Sequence, residues 1–196
     1  MVASSSEITT FFHPRPIVIN EIGWAGTVAS GFDEWLELKS CFHDYSIDLS
    51  SYYLTDSQRS ENWRINLTDK ILPKGYYLIE RGDDNVISNR PKNLVESFIT
   101  NSGSKAFNLA SIGLKLWHKT NLGDELVDET PVWNKAGSAS SSLERTFENK
   151  ISTELSTWED NFWCYDNESP CALDRNATTT FGTPGQKNKA STAYQS

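Results

Sequence analysis

The sequence predicts an all-β fold, either a sandwich or a barrel. Short runs rich in β-branched and aromatic residues recur about every ten residues between residues 17 and 128, with turn residues separating them. Seven Trp, nine Phe and seven Tyr against a single Met indicate that aromatic side chains fill the core. The length of 196 residues favours one domain, which can bury a core without a metal or dense disulfides.

The individual strands follow from local patterns. Leu36 and Leu38 alternate with Glu37 and Lys39, which predicts that the two leucines face the core while Trp35 and Glu37 lie on the opposite face. In chain order, the patterns predict strands at residues 17–22, 34–39, 47–49, 52–55, 63–67, 76–80, 106–109, 114–118 and 125–128.

Three other segments carry different signals. Asn20 and Glu21 interrupt an apolar strand, which indicates an edge position or a paired polar contact. Residues 92–97 follow a proline and are the one segment expected to hold a helical turn. Residues 143–145 come after a serine-rich loop and are expected to form a last edge strand.

The domain organisation is simple. We expect residues 1–15 to be a disordered polar lead-in, residues 16–188 to form the β-sandwich, and residues 189–196 to be a flexible polar tail. The first seven residues lack the basic and apolar regions of a signal peptide, so the chain is either cytosolic or an exported protein given without its signal. No apolar run approaches the roughly 18 residues of a membrane-spanning helix.

The charge of the chain argues against nucleic acid as a partner. Eighteen Lys and Arg against 26 Asp and Glu give a net charge of −8, and the basic residues are scattered singly. A protein that coats duplex DNA needs a basic face that displaces counterions. We therefore expect no binding to duplex nucleic acid.

Two of the three cysteines are close in sequence. Cys164 and Cys171 flank a short polar segment that contains Pro170, and this spacing permits a disulfide. Two unpaired surface thiols are the alternative, and the absence of a nearby His suits a metal site poorly. A disulfide indicates an extracytoplasmic location and leaves Cys41 as the odd cysteine, buried and outside any disulfide.

The sequence contains none of the common catalytic motifs. His13, His43 and His118 stand apart from one another and are expected at the surface. No Gly-x-Ser-x-Gly elbow and no Gly-rich phosphate loop occurs. A catalytic pair of carboxylates stays an open alternative, because Asp and Glu are numerous and the distances between them do not follow from the sequence.

One acidic run has the chemistry of a calcium site. Asp83, Asp84 and Asn85 follow Gly82 and gather hard oxygen donors at a turn, as Ca²⁺ requires. The run lacks the ligand ladder of an EF-hand, and a solvated acidic turn is the alternative. No other cofactor is expected.

The tryptophans are the candidate ligand-binding residues. The chain holds more of them than one small core needs, so we expect some to be exposed and to contact a ligand, foremost Trp24, Trp35 and Trp63. Trp24 is of particular interest because it lies in a glycine-flanked loop.

Several short motifs stand in a characteristic order along the chain. They are Val18-Ile19-Asn20-Glu21-Ile22, Glu34-Trp35-Leu36-Glu37-Leu38, Asp48-Leu49-Ser50 with Tyr53-Leu54-Thr55-Asp56, Leu72-Pro73-Lys74-Gly75-Tyr76-Tyr77-Leu78-Ile79, Ser142-Leu143-Glu144-Arg145 and Gly182-Thr183-Pro184-Gly185-Gln186-Lys187-Asn188. Through them the chain resembles the bacterial form of the lamin-tail domain from about Ile17 to Asn188. The resemblance implies an immunoglobulin-like β-sandwich.

The resemblance also implies a non-catalytic role, as a binding or surface-assembly module of a secreted or otherwise extracytoplasmic bacterial protein. The expected partner is a protein or a glycan at a cell surface, and the oligomeric state stays open. The alternative is a glycan-processing accessory or hydrolase domain with an acidic site beside a tryptophan platform. An acidic cleft with raised carboxyl pKa values would favour the hydrolase, and a flat surface or open strand edge would favour binding.

We predict that Cys164 and Cys171 are bonded to each other. Closing this short loop stabilises the fold by about 2–3 kcal/mol through the entropy of the unfolded chain. Titration of the denatured, unreduced protein should find one reactive thiol per chain, that of Cys41. Three reactive thiols would contradict both the disulfide and the location inferred from it.

Overall fold

Two β-sheets pack against each other in the computed structural model, which describes residues 15–57, 63–98, 109, 113–132, 142–145, 158–161 and 172–188. Every regular element within these residues is a β-strand, so the all-β prediction is confirmed. Across the same residues there is no helix of the length and apolarity needed to span a membrane.

The larger sheet has six strands. In spatial order they are β12 (Trp158–Asn161), β11 (Ser142–Arg145), β1 (Ile17–Gly23), β2 (Trp35–Ser40), β7 (Tyr76–Arg81) and β8 (Leu94–Glu96). Neighbouring strands are antiparallel except β7 and β8, which run parallel.

The smaller sheet has four antiparallel strands. In spatial order they are β10 (Gly123–Glu129), β9 (Leu114–Thr120), β4 (Tyr52–Asp56) and β5 (Arg64–Asn66). Two short pairs complete the described structure, β3 (Ile47–Asp48) with β6 (Lys70–Ile71) and β13 (Ala172–Leu173) with β14 (Thr179–Thr180).

The main core lies between the two sheets. Leu36 and Leu38 are fully buried in it, as the alternation in β2 predicts. Apolar residues of the facing sheet, among them Leu54 and Leu116, belong to the same cluster. Burial of such side chains is the main favourable contribution to folding, at about 1.5–3 kcal/mol each.

The opposite face of the larger sheet, which carries Trp35 and Glu37 as predicted, is buried as well. Trp35 packs in a second apolar cluster with Leu78, Val86, Ile87 and Ala172. Glu37, on the same face as Trp35, is also fully buried. The chain between β13 and Asn188 covers this face, so both faces of β2 are removed from water.

A buried ion pair joins the two sheets beside β1. The register of β1 shifts between Ile19 and Glu21, and the register of β10 shifts between Leu126 and Asp128. Asp128 accepts the Ile19 N–H at 2.8 Å, and the guanidinium of Arg145 lies 2.5 Å from the same carboxylate. Arg145 also donates to the Ile19 carbonyl at 2.8 Å. These contacts satisfy backbone groups that the irregular pairing leaves over.

Two predictions for the strand arrangement are wrong. Residues 92–97 form no helical turn, because the N–H of Asn93 donates to the Leu78 carbonyl and ties this segment to β7. Residues 143–145 lie in β11, which pairs with β1 on one side and β12 on the other, so they are not an edge. Asn20 and Glu21 likewise lie inside the sheet, and the paired polar contact is the interpretation that holds for them.

Some expectations fall outside the described residues. They concern the lead-in up to residue 14, the predicted strand at 106–108, the pair Cys164 and Cys171, and the tail at 189–196. Cys41 is described, and it is a partly buried thiol.

The packing of β2 predicts the cost of truncation. Leu36→Ala should lower the free energy of unfolding by about 2–4 kcal/mol, because it leaves a cavity between the two sheets. Leu72→Ala, at an exposed leucine, is the matched control and should change it by less than about 0.5 kcal/mol. Urea titrations of the three proteins measure both values, and equal effects at the two sites would contradict the position of the core.

Candidate functional site

Three glutamates lie side by side on the face of the larger sheet that carries Trp35, opposite the main core. Glu21 of β1 is paired in register with Glu37 of β2 on one side and with Glu144 of β11 on the other. All three are fully buried. Carboxyl groups removed from water need hydrogen-bond partners, and a segment distant in sequence provides them.

That segment is the C-terminal strap, residues 182–188. The N–H of Thr183 donates to both carboxylate oxygens of Glu21 at 3.0 and 3.1 Å. The Thr183 hydroxyl lies 2.8 Å from a carboxylate oxygen of Glu144, and the Ser142 hydroxyl donates to Glu21 at 2.5 Å. The strap is thus bound through the carboxylates of β1 and β11.

Glu37 binds the strap further along. One of its oxygens accepts the N–H of Gly185 at 2.5 Å, and the other accepts the amide of Asn20 at 2.8 Å. The same amide donates to Asn188 at 2.7 Å, and Asn188 in turn donates to the carbonyls of Asn20 and Arg145. Because those two carbonyls require donors, they fix the orientation of both asparagine side chains.

Gly182 is required by this close approach. Its φ of 134° is unusual for other residues, and a Cβ there would stand 2.8 Å from a Glu21 oxygen and 2.9 Å from the Trp35 ring. The strap therefore lies directly on the carboxylate and on the indole.

Burial raises the pKa of these carboxyl groups. It raises the pKa of Glu37 to about 8, although hydrogen bonds from Gly185 and Asn20 favour the ionised form. The pKa of Glu21 is raised well above its usual range by burial and then by the charges of Glu144 and Glu37. On the neighbouring strand β7, burial raises the pKa of Glu80 to about 7.

The three tryptophans expected to bind a ligand do not face solvent, which corrects that expectation. Trp24, Trp35 and Trp63 are only 4%, 1% and 1% exposed. Trp24 and Trp63 pack in the main core, where Trp63 meets Phe98 edge to face, and Trp35 lies under the strap. The sandwich holds two apolar clusters and so has room for more indoles than one core needs.

The acidic turn at Asp83, Asp84 and Asn85 is engaged by other groups. Asp83 accepts the N–H of Asn85 at 2.9 Å and pairs with Arg175, and Asp84 pairs with Lys92. Among the residues that the structure describes, no group of three or more His, Cys, Asp and Glu side chains is placed to hold a metal ion. The calcium site at this turn stays a prediction.

Four aromatic rings lie at one end of the sandwich, where loop 41–46 meets the β9–β10 hairpin; Tyr45 is exposed, Phe42 and His118 are half-buried, and Tyr52 is buried. We call Phe42, Tyr45, Tyr52 and His118 the aromatic end. Phe42 and Tyr45 have ring centroids 4.3 Å apart, and Tyr52 stacks on His118 at 4.4 Å.

The aromatic end offers apolar surface to a partner. Tyr45 is 55% exposed. Exposed Leu72 lies in the neighbouring β6–β7 turn, and Leu122, 97% exposed, forms the tip of the hairpin. Sequence reasoning missed this surface because it looked for tryptophan. The available signal was a pair of aromatic residues, Phe42 and Tyr45, within a polar loop without strand alternation.

No family model, no curated protein and no solved structure matches this chain.

The buried carboxyls predict that the protein is more stable in mild acid. Glu37 and Glu80 have higher pKa values in the folded protein than in the unfolded chain, so folding takes up protons. Their contribution to stability is complete below about pH 4.5 and is lost as the pH rises to about 8. Urea titrations at constant ionic strength should give a free energy of unfolding that falls over this range, by up to about 1.4 kcal/mol per pH unit and group.

The variant Glu80→Gln tests whether the fall in stability with rising pH comes from the buried carboxyl groups rather than from the net charge of the protein. One Glu80 oxygen accepts the Ile87 N–H, and a glutamine carbonyl can accept the same bond, while its amide is close in size to the carboxyl and does not ionise. The variant should have a shallower pH profile than the wild type, and Glu125→Gln, at an exposed residue, should not. A wild-type stability that is constant or rises between pH 5 and pH 8 would refute the effect.

Proposed function

We propose that this chain is a non-catalytic binding module of the lamin-tail type, with an immunoglobulin-like sandwich and an extracytoplasmic location in a bacterium. The convergence of its motifs supports this proposal. Glu21, Glu37 and Glu144 come from three separate motifs. All three contact the strap, which is itself the last motif in the chain. Motifs that act together in closing the fold are expected of a structural signature.

The hydrogen bonds of the carboxylates favour binding over hydrolysis. A catalytic acid or base must come within hydrogen-bond distance of its substrate. The oxygens of Glu21 and Glu37 instead accept hydrogen bonds from the strap and from neighbouring polar side chains. Raised carboxyl pKa values are one mark of the hydrolase alternative, but the indole next to them, Trp35, is covered by Gly182 rather than open as a platform.

The proposal of a binding function rests chiefly on the aromatic end. Tyrosine is enriched at the centre of protein interfaces, where its rigid ring buries a large area at a low entropic cost. Tyr45 presents such a ring, supported from behind by Phe42. Leu72 adds aliphatic surface in the turn that bonds to the Phe42 carbonyl, and Leu122 adds more at the hairpin tip, a mixture that suits a protein partner better than a glycan.

We expect the module to bind protein segments through the aromatic end. The labelled protein would be applied to arrays of peptides and of glycans. Binding should be found on the peptide array, and Tyr45→Ala should weaken it at least about tenfold, as loss of an interface hot spot does. Phe32→Ala is the matched control, because Phe32 is 70% exposed but lies in the β1–β2 loop at the other end of the sandwich.

Two outcomes would refute the proposal. One is peptide binding that Tyr45→Ala leaves unchanged. The other is turnover of a generic ester, phosphate or glycoside substrate that survives repurification and is lost when a single carboxylate is changed. Equal melting temperatures of both variants and the wild type would show that the fold is intact.

A further inference from the structure

A cleft lies on the strap side of the larger sheet. Its volume is about 510 Å³, within the range of small-molecule sites. The lining comes from four separate parts of the chain, with Glu37 on β2, Tyr76 on β7, Arg90 and Asn93 before β8, and Gln186 in the strap.

The lining combines planar polar groups with apolar surface. The guanidinium of Arg90 and the carboxamides of Asn93 and Gln186 are the donor and acceptor groups of the lining, while the buried carboxyl of Glu37 is bonded to Asn20 and Gly185. The Tyr76 ring is partly exposed, and Leu78 and Pro91 complete the wall with apolar atoms. Adjacent donors and acceptors match neighbouring hydroxyl groups of a sugar ring, and an aromatic ring packs against its C–H face.

The polar groups are held in place before any ligand arrives. Asn93 accepts the Leu78 N–H at 2.8 Å and donates its own N–H to the Leu78 carbonyl at 2.9 Å. Arg90 donates through Nε to the Pro184 carbonyl at 3.1 Å, and Gly185 donates to Glu37. A rigid lining reduces the entropy that a small ligand must overcome.

The cleft is poorly suited to an added peptide strand. Strand addition needs unpaired backbone groups along an edge. Beyond Leu78 the edge of β7 is occupied by β8, and at Leu78 itself both backbone groups are bonded to Asn93. A ligand in this cleft is therefore bound by side chains.

We infer that this cleft binds a saccharide of one or two rings. The site is distinct from the aromatic end and goes beyond the proposed protein-binding function. Asn93 and Gln186 contact sugar hydroxyls from opposite walls, while Tyr76 packs against the ring. The strap supplies part of the wall, so the site exists only in the closed fold.

An NMR titration of the full chain tests the inference. The probes are glucose, galactose, N-acetylglucosamine and their 1,4-linked disaccharides. At least one of them should cause saturable shifts of the side-chain amide signals of Asn93 and Gln186 and of the backbone signal of Gly185. The absence of such shifts with every probe, or shifts confined to Phe42 and Tyr45, would overturn the inference.

Asn93→Asp is the sharpest variant. It keeps the oxygen that accepts the Leu78 N–H and replaces the NH₂ group that we assign to the sugar. Affinity for the active probe should fall at least about fivefold, as for loss of one hydrogen bond. Asn121→Asp makes the same chemical change at the exposed hairpin tip and should leave the affinity unchanged.

A second variant guards against misfolding. Gln186→Ala changes a side chain of the opposite wall and should also weaken binding of the active probe, with the melting temperature of the wild type. Wild-type affinity in both Asn93→Asp and Gln186→Ala would overturn the inference.

Discussion

The hydrogen bonds between the strap and the buried carboxylates are the constraint on which most of this structure depends. Burying the apolar cluster around Trp35 favours docking of some covering segment, but apolar packing alone does not fix its position. Glu21 and Glu37 fix it, because their oxygens must find donors and the N–H groups of Thr183 and Gly185 provide them. The apolar cluster thus supplies the driving force, and the carboxylates determine where the strap lies.

The ion pair of Asp128 with Arg145, at the side of the sandwich, likewise provides hydrogen-bond partners for buried polar groups. The pairing of β1 with β11 includes Glu21 and Ile22 but not Ile19, and the two charged side chains bond to the N–H and the carbonyl of Ile19 instead. The second half of β10 is thereby drawn against β1, while its first half projects with Leu122 at the tip. The contacts of Asp128 and Arg145 with Ile19 therefore close this side of the sandwich and leave the tip of the β9–β10 hairpin exposed.

The sequence is sufficient to predict those features of the fold that depend on neighbouring residues alone. Alternation of period two places Leu36 and Leu38 in the core without further information. It cannot show that Glu37 is buried, because the covering N–H group of Gly185 is 148 residues away. The helical turn at 92–97 failed for a related reason, since contacts of Asn93 with Leu78 outweigh local propensity. Tryptophan count likewise suggested exposure, because nothing local indicates a second apolar cluster.

Glu37 connects stability with the proposed saccharide site. It holds Gly185 of the strap and also lines the cleft, so any ligand that needs the closed strap must stabilise the folded protein in proportion to its affinity. Ionisation of Glu37 at higher pH costs more in the buried state than in water and opposes that closure. The aromatic end contains no strap residue, so ionisation of Glu37 does not act on it directly. Two surfaces of one small sandwich are thus expected to respond differently to pH, because only one of them is built on the buried carboxylates.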